Sequence, residues 1–214
     1  MVKLDIMSDP ICPWCYIGKT NLDRALEQRA DHPFLITWHP FQLNPDMPKK
    51  GMDRREYLET KFGGKDGAIK AYAPVVEHAE KAGLKINFEG IEKTPNTLDA
   101  HRLIHWAGIE GQQTPVVDAL FSAYFVEGRD IGDPDVLADV ADSSGMDASV
   151  VRRLLDTEED TREIVERDAA ARGMGITSVP TFIVAGQHAV PGAQPTELWL
   201  KVLDDIAQGT SLDA

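Results

Sequence analysis

Strand-like sequence lies only at the two ends of this chain, and about 130 residues between them carry helical periods alone. That division restricts the fold more than any other feature. Val2, Leu4 and Ile6 alternate with Lys3 and Asp5, the period of a strand with one face buried. Ser8-Asp9-Pro10 breaks the strand, and a helix follows from Pro13 to about Ala30. Pro13 suits the first helical position, and Ile17, Leu22, Ala25 and Leu26 recur at helical spacing. Phe34 to Phe41 is again β-rich, and Pro40 stops it. The first 42 residues or so therefore read as a βαβ unit. β character returns in residues 177–184. Ala185-Gly186-Gln187 then offers a turn, and His188-Ala189-Val190 a partner strand. A final helix, from about Pro195 to Gln208, carries an apolar stripe of Leu198, Trp199, Val202, Leu203 and Ile206.

The middle reads as helices Arg54–Phe62, Lys65–Ala82, Thr97–Ala107, Thr114–Glu127, Pro134–Ser143, Ala148–Leu155 and Glu159–Arg172. Gly63-Gly64, Gly83, Gly108, Gly132-Asp133-Pro134 and Gly145 punctuate them, and no confident strand is legible there. So long a segment cannot be a connecting loop. The expected organisation is an α/β fold: residues 1–43 and 175–214 form one discontinuous domain, and residues 44–174 a helical insertion.

Composition narrows the partners. Lys and Arg number 22 against 35 Asp and Glu, a net charge of −13. That balance repels polyanions, so neither nucleic acid nor an anionic membrane is an expected partner. No run approaches the ~20 apolar residues of a membrane span. Charges interrupt Met1 to Ile6, so no secretory leader is expected. The expectation is a soluble, cytoplasmic protein.

Both cysteines of the chain fall in one motif, Cys12-Pro13-Trp14-Cys15, between a strand and a helix. A helix N-terminus presents unpaired N–H groups and the positive end of the dipole. A thiolate placed there is stabilised, its pKa falling from about 8.5 toward roughly 3.5–7.5. Cys12 sits at that end, and Cys15 one turn inside, close enough to resolve a mixed disulfide on Cys12. Two other readings stay open at this point: a pair of small buried hydrophobes, or half of a zinc site. Zinc would need two more ligands, and the best candidates are His101 and His105, at i and i+4 on a predicted helix. These read instead as ordinary semi-exposed histidines, so no metal is expected. Val179-Pro180, opening an apolar strand, is the second signal, since proline belongs where no ladder hydrogen bond is required.

Four stretches, in order along nearly the whole chain, resemble the DsbA-like thioredoxin superfamily, and within it the FrnE-like branch. They are residues 8–18, around Cys12-Pro13-Trp14-Cys15; residues 96–103, Asn-Thr-Leu-Asp-Ala-His-Arg-Leu; residues 175–182, around Val179-Pro180; and residues 190–194, Val-Pro-Gly-Ala-Gln. That branch is grouped with 2-hydroxychromene-2-carboxylate isomerases and kappa-class glutathione transferases. The resemblance implies a thioredoxin fold with a large all-helical insertion between its βαβ and ββα halves. It implies that Cys12 attacks and Cys15 resolves. It also implies that Pro180 is cis beside the motif, with the backbone of Val179 available to a substrate chain.

The isomerases and transferases of the group typically carry serine at the first motif position, where this chain has Cys12. The expected activity is therefore dithiol–disulfide exchange with protein or small-molecule thiols. Glutathione-dependent isomerisation or transfer is the alternative, and a non-enzymatic CxxC protein binding a metal or partner is a third. No cofactor is required, although glutathione is admitted as redox partner or co-substrate. Pro13 and Trp14 form part of the expected substrate surface. Asn44, Asn96, Thr97 and Arg102 are candidates to hold glutathione or a peptide, set against helix capping for Asn96 and Thr97 and a plain surface cation for Arg102. Trp14 stands where periplasmic DsbA has histidine. Indole donates one N–H and carries no charge, so a less oxidising disulfide is expected. Relatives are often homodimers, though no apolar face is legible here as an interface.

Overall fold

A computed structural model describes residues 1–209 of the chain. The C-terminal boundary expected at residue 214 lies outside the described residues. The first unit is β1 (Val2–Ser8), α1 (Pro13–Gln28) and β2 (Phe34–Pro40), with β1 and β2 parallel and Val2 opposite Phe34. The last unit is β5 (Thr181–Val184), β6 (His188–Pro191) and α9 (Thr196–Ala207). β5 pairs antiparallel to β1, and β6 to β5, giving one four-stranded sheet in the order β2-β1-β5-β6. The two ends of the chain thus meet at β1.

Burial of β1 exceeds the sequence expectation. Alternation predicts one buried face, yet every residue from Leu4 to Ser8 is buried, Asp5 included. A central strand with helices on both faces has no solvent side. Asp5 is accommodated by His39 on β2, whose Nε2 lies 2.7 Å from its Oδ1. Arg167 donates to the other ring nitrogen at 3.3 Å, so His39 must give its own proton to Asp5.

Between β2 and β5 lie α2 (Arg54–Phe62), α3 (Lys65–Lys81), α4 (Leu98–Ile109), α5 (Gln113–Phe121), α6 (Pro134–Ser143), α7 (Ala148–Leu155) and α8 (Thr161–Gly173). Asp53, Asp133 and Asp147 cap α2, α6 and α7 through side-chain oxygens that accept first-turn N–H groups. Two features depart from the all-helical reading. Met52–Asp53 and Lys93–Thr94 form a two-residue antiparallel ladder, β3 and β4. The predicted helix Thr114–Glu127 is α5 followed by a π-turn, Ser122–Val126, in which the Glu127 N–H reaches back to the Ser122 carbonyl. The core is continuous from sheet to insertion: Leu4, Ile6, Phe182 and Trp199 belong to the same packed cluster as Leu103, Leu120, Phe121 and Tyr124. Among the described residues no helix is long and apolar enough to cross a membrane.

Candidate active site

Cys12 is the N-cap of α1, in extended conformation (φ −86°, ψ 115°), with Pro13 as the first helical residue. Its carbonyl accepts the N–H groups of Cys15 (3.1 Å) and Tyr16 (3.2 Å), and its own N–H donates to the Asp9 carbonyl at 2.9 Å. Asp9 is fully buried and holds this turn from below, its carboxylate accepting the Leu43 N–H at 2.7 Å. The result is a thiol fixed at a helix N-terminus and a second thiol one turn behind it. Both are free cysteines. Cys15 is 1% exposed, and burial pushes its thiol well above the usual range. Neighbouring Cys12 adds to that shift, while the Ser8 hydroxyl and the Asp9 backbone oppose it more weakly.

The β5 side closes on Cys12 from across the sheet. The Val179–Pro180 peptide is cis, and the Val179 carbonyl lies 3.7 Å from Cys12 Sγ. The Val179 N–H makes no hydrogen bond among the described residues. α1 approaches the proline at Gly18, where a Cβ would stand 3.0 Å from Pro180 Cγ and 3.2 Å from the Ala193 Cα. A small residue at position 18 is therefore what lets helix and cis-proline loop touch.

A cavity of about 290 Å³ opens beside the thiols. Cys12, Pro13, Trp14 and Val179 line its floor, with Thr177 and Ser178. Arg54, Tyr57 and Lys61 from α2, Tyr72 from α3, Thr94 from β4 and Tyr124 from the π-turn form its walls. Trp14 both lines the cavity and packs edge-to-face on His78, with centroids 5.1 Å apart.

The remaining sequence candidates lie elsewhere. Asn44 stands behind Tyr57, its Oδ1 accepting the phenol at 2.9 Å. Asn96 is a structural tie: its Nδ2 donates to the Met47 carbonyl at 2.6 Å and its Oδ1 accepts the Leu98 N–H at 2.9 Å. Thr97 is the buried N-cap residue of α4. Arg102 is neither surface cation nor cavity residue. It is 1% exposed, pairs with Asp99 at 2.7 Å and donates to the carbonyls of Leu154, Thr157 and Glu159. His101, read as semi-exposed, is buried, with Nε2 3.7 Å from an Asp9 oxygen, while half-buried His105 accepts from Arg167 at 3.0 Å. Helix α4 is buried over most of its surface, polar residues included, because it packs against α5, α8 and β2. Among the described residues no group of three or more His, Cys, Asp or Glu is placed to hold a metal ion.

The cavity walls were missed by sequence reasoning. One signal was available: Arg54, Tyr57 and Lys61 fall at i, i+3 and i+7, one face of the predicted helix. Tyr72 and Tyr124 had none, because only the folding of the insertion brings them to the thiols.

The chain is similar to known proteins along nearly its whole length. A Bacillus subtilis (strain 168) protein, uncharacterized protein YwbO, is 29% identical over 207 residues, covering 95% of this chain and 96% of its own. The crystal structure of a probable DsbA oxidoreductase from Streptomyces coelicolor is 28% identical, with a TM-score of 0.86 over 100% of this chain and 93% of that one. The cytosolic disulfide reductase DsbM from Pseudomonas aeruginosa, solved with GSH, has a TM-score of 0.70 at 17% identity, over 96% of this chain and 99% of its own, a likeness of fold. The DSBA-like thioredoxin domain family matches residues 3–204. With the cysteine motif at the α1 N-cap facing a cis-proline loop, and that match spanning both halves of the sheet and the insertion, the chain belongs to the DsbA-like thioredoxin domain family.

Proposed function

We propose that this protein is a thiol–disulfide oxidoreductase in which Cys12 attacks and Cys15 resolves. One observation carries the reading: both thiols are buried, but Cys12, at the helix N-terminus, lines the cavity, whereas Cys15, one turn behind it, is not among the cavity's lining residues. In the reducing direction Cys12 thiolate attacks one sulfur of a disulfide R–S–S–R, forming Cys12–S–S–R and expelling R–S⁻. Cys15, having lost its proton to solvent, attacks Cys12 Sγ and expels the second R–S⁻. Two electrons pass from the dithiol to the substrate, and the protein is left with a Cys12–Cys15 disulfide. In the opposite direction that disulfide oxidises a client dithiol. The chemistry needs a thiol redox partner and no resident cofactor.

Two relatives support this reading, one described as a probable DsbA oxidoreductase and one as a cytosolic disulfide reductase solved with GSH. Glutathione is accordingly the proposed small-molecule partner, and the cytoplasm the proposed compartment. In this reading residues 1–43 supply both thiols, the C-terminal part of the same domain supplies the cis-proline loop facing them, and the inserted residues 44–174 supply the other walls of the substrate cavity.

The test is stoichiometric. Pre-reduced protein mixed with excess glutathione disulfide should release two glutathione thiols per chain and gain one internal disulfide, read by mass. Brief alkylation of the reduced protein at neutral pH should label Cys12 before Cys15. No thiol release overturns the activity, and labelling of Cys15 first reverses the roles.

A further inference from the structure

The cavity beside Cys12 contains a guanidinium with no ion-pair partner among the described residues. Arg54 is 6% exposed, and its guanidinium donates to two phenols, Tyr124 at 2.9 Å and Tyr72 at 3.1 Å. It also lies over both rings, 5.5 Å and 5.9 Å from their centroids. Arg54 forms no ion pair among the described residues, although the chain carries 35 carboxylate side chains. Burial holds the phenols of Tyr72 and Tyr124 above their usual range, so neither becomes an anion that would balance the guanidinium. Burying a cation without a counter-charge is expensive, and a protein of net charge −13 has ample means to avoid it.

The neighbouring polar atoms share the same bias. Lys61, on the next two turns of α2, donates to the Tyr57 hydroxyl and also lacks an ion pair among the described residues. Asn44 has its oxygen taken by Tyr57, and its buried Nδ2 has no hydrogen-bond partner among the described residues. Asn44 stands behind that wall rather than in it, and the lining itself carries two cations, Arg54 and Lys61, and no carboxylate. A ligand that completes it must bring acceptor oxygens and negative charge.

Resting on the thiol-exchange reading above, we infer that the cavity selects small thiols and disulfides that carry a carboxylate, with Arg54 and Lys61 receiving that carboxylate while the ligand's sulfur meets Cys12. The alternative occupant, a neutral or cationic client, would leave Arg54 buried and unpaired. Arg54 lines the cavity and would meet the carboxylate rather than the sulfur, so it acts as a specificity anchor and takes no part in the electron transfer.

Single-turnover oxidation of pre-reduced protein separates the two readings, since it needs no added reductant. The rate constant is measured with glutathione disulfide, with its fully esterified form, and with neutral bis(2-hydroxyethyl) disulfide. Wild type should favour the free carboxylates over the ester by about tenfold or more, the scale of one charge-assisted hydrogen-bonded contact. In Arg54→Gln that preference ratio should collapse toward one, whatever the absolute rate. In Lys61→Met it should fall by a few-fold. The wild-type comparison and the exposed Lys61 variant carry the test where Arg54→Gln does not fold. Equal rates for acid and ester in wild type overturn the inference, as does a preference that survives both substitutions. Failure of all three disulfides to oxidise the protein overturns the exchange reading instead.

Discussion

Arg102 and Arg54 are both buried guanidinium groups on helices of the insertion, and they use their charge in opposite ways. Arg102 pairs with Asp99 and donates to the carbonyls of Leu154, Thr157 and Glu159, in α7 and its exit turn, at 2.8–2.9 Å. It is a fastener between α4 and residues 154–159, and its ring contact with Trp106, at 4.9 Å, adds to the same joint. Removing it leaves Asp99 and three carbonyls without their donor. Arg102→Met should lower the unfolding free energy by about 3 kcal/mol, from loss of hydrogen bonds to a charged group. Denaturant unfolding measures this, and the rate of thiol exchange per folded molecule should change less than twofold. Lost exchange with an unchanged unfolding midpoint would return Arg102 to the substrate site. Arg54, by contrast, is held by phenols and faces a cavity. Nothing in the residues around either arginine distinguishes these roles in sequence; each follows from what the fold brings against the side chain.

At the scale of elements, legibility tracked local chemistry. The helices Arg54–Phe62, Pro134–Ser143 and Ala148–Leu155 were readable to the residue because each begins after a capping aspartate. The βαβ start, the closing hairpin and the Cys12–Cys15 motif were readable because alternation, proline and turn residues mark them locally. The β3–β4 ladder was not, since two residues show no period. The π-turn was hidden inside the apolar run from Leu120 to Val126, where a shift from i+4 to i+5 bonding leaves no trace in composition. That turn has a consequence at the site. It sets Tyr124 with its hydroxyl donating to the Lys93 carbonyl at 3.1 Å and accepting from Arg54, so one irregular element ties β4, α2 and the cavity wall together. The thiol half of the site was therefore legible, and the wall, assembled across long sequence separations, was not.

The whole molecule stores several protons that it releases reluctantly. Burial raises the pKa of Cys15, Tyr16, Tyr72 and Tyr124, and the carboxylates of Asp23 and Asp118 hold buried Lys19 protonated above its usual range, against the opposing effect of burial. In the unfolded chain these groups titrate near their ordinary values, from 9.0 for the thiol to 10.5 for the amine. Above those values the unfolded state binds fewer protons than the native state, so stability falls as pH rises. Below about pH 8 none of these groups has begun to titrate in either state, and they contribute no slope. Urea midpoints should accordingly drop steadily from about pH 8 toward pH 10.5. A midpoint that is flat or rising over that alkaline range would contradict the burial of these groups.

The central claim is that electrons pass through a mixed disulfide on Cys12 that Cys15 must resolve. Cys15→Ser leaves the thiol at the α1 N-cap intact and removes only the second attack. Intact mass of this variant after reaction with glutathione disulfide is the most direct test. One glutathione bound per chain, released by dithiothreitol, is the expected result, together with loss of multiple turnover. A glutathione-dependent isomerase would need no resolving thiol and would trap nothing. A Cys15→Ser protein that carries no adduct and turns over like the wild type would contradict the dithiol mechanism.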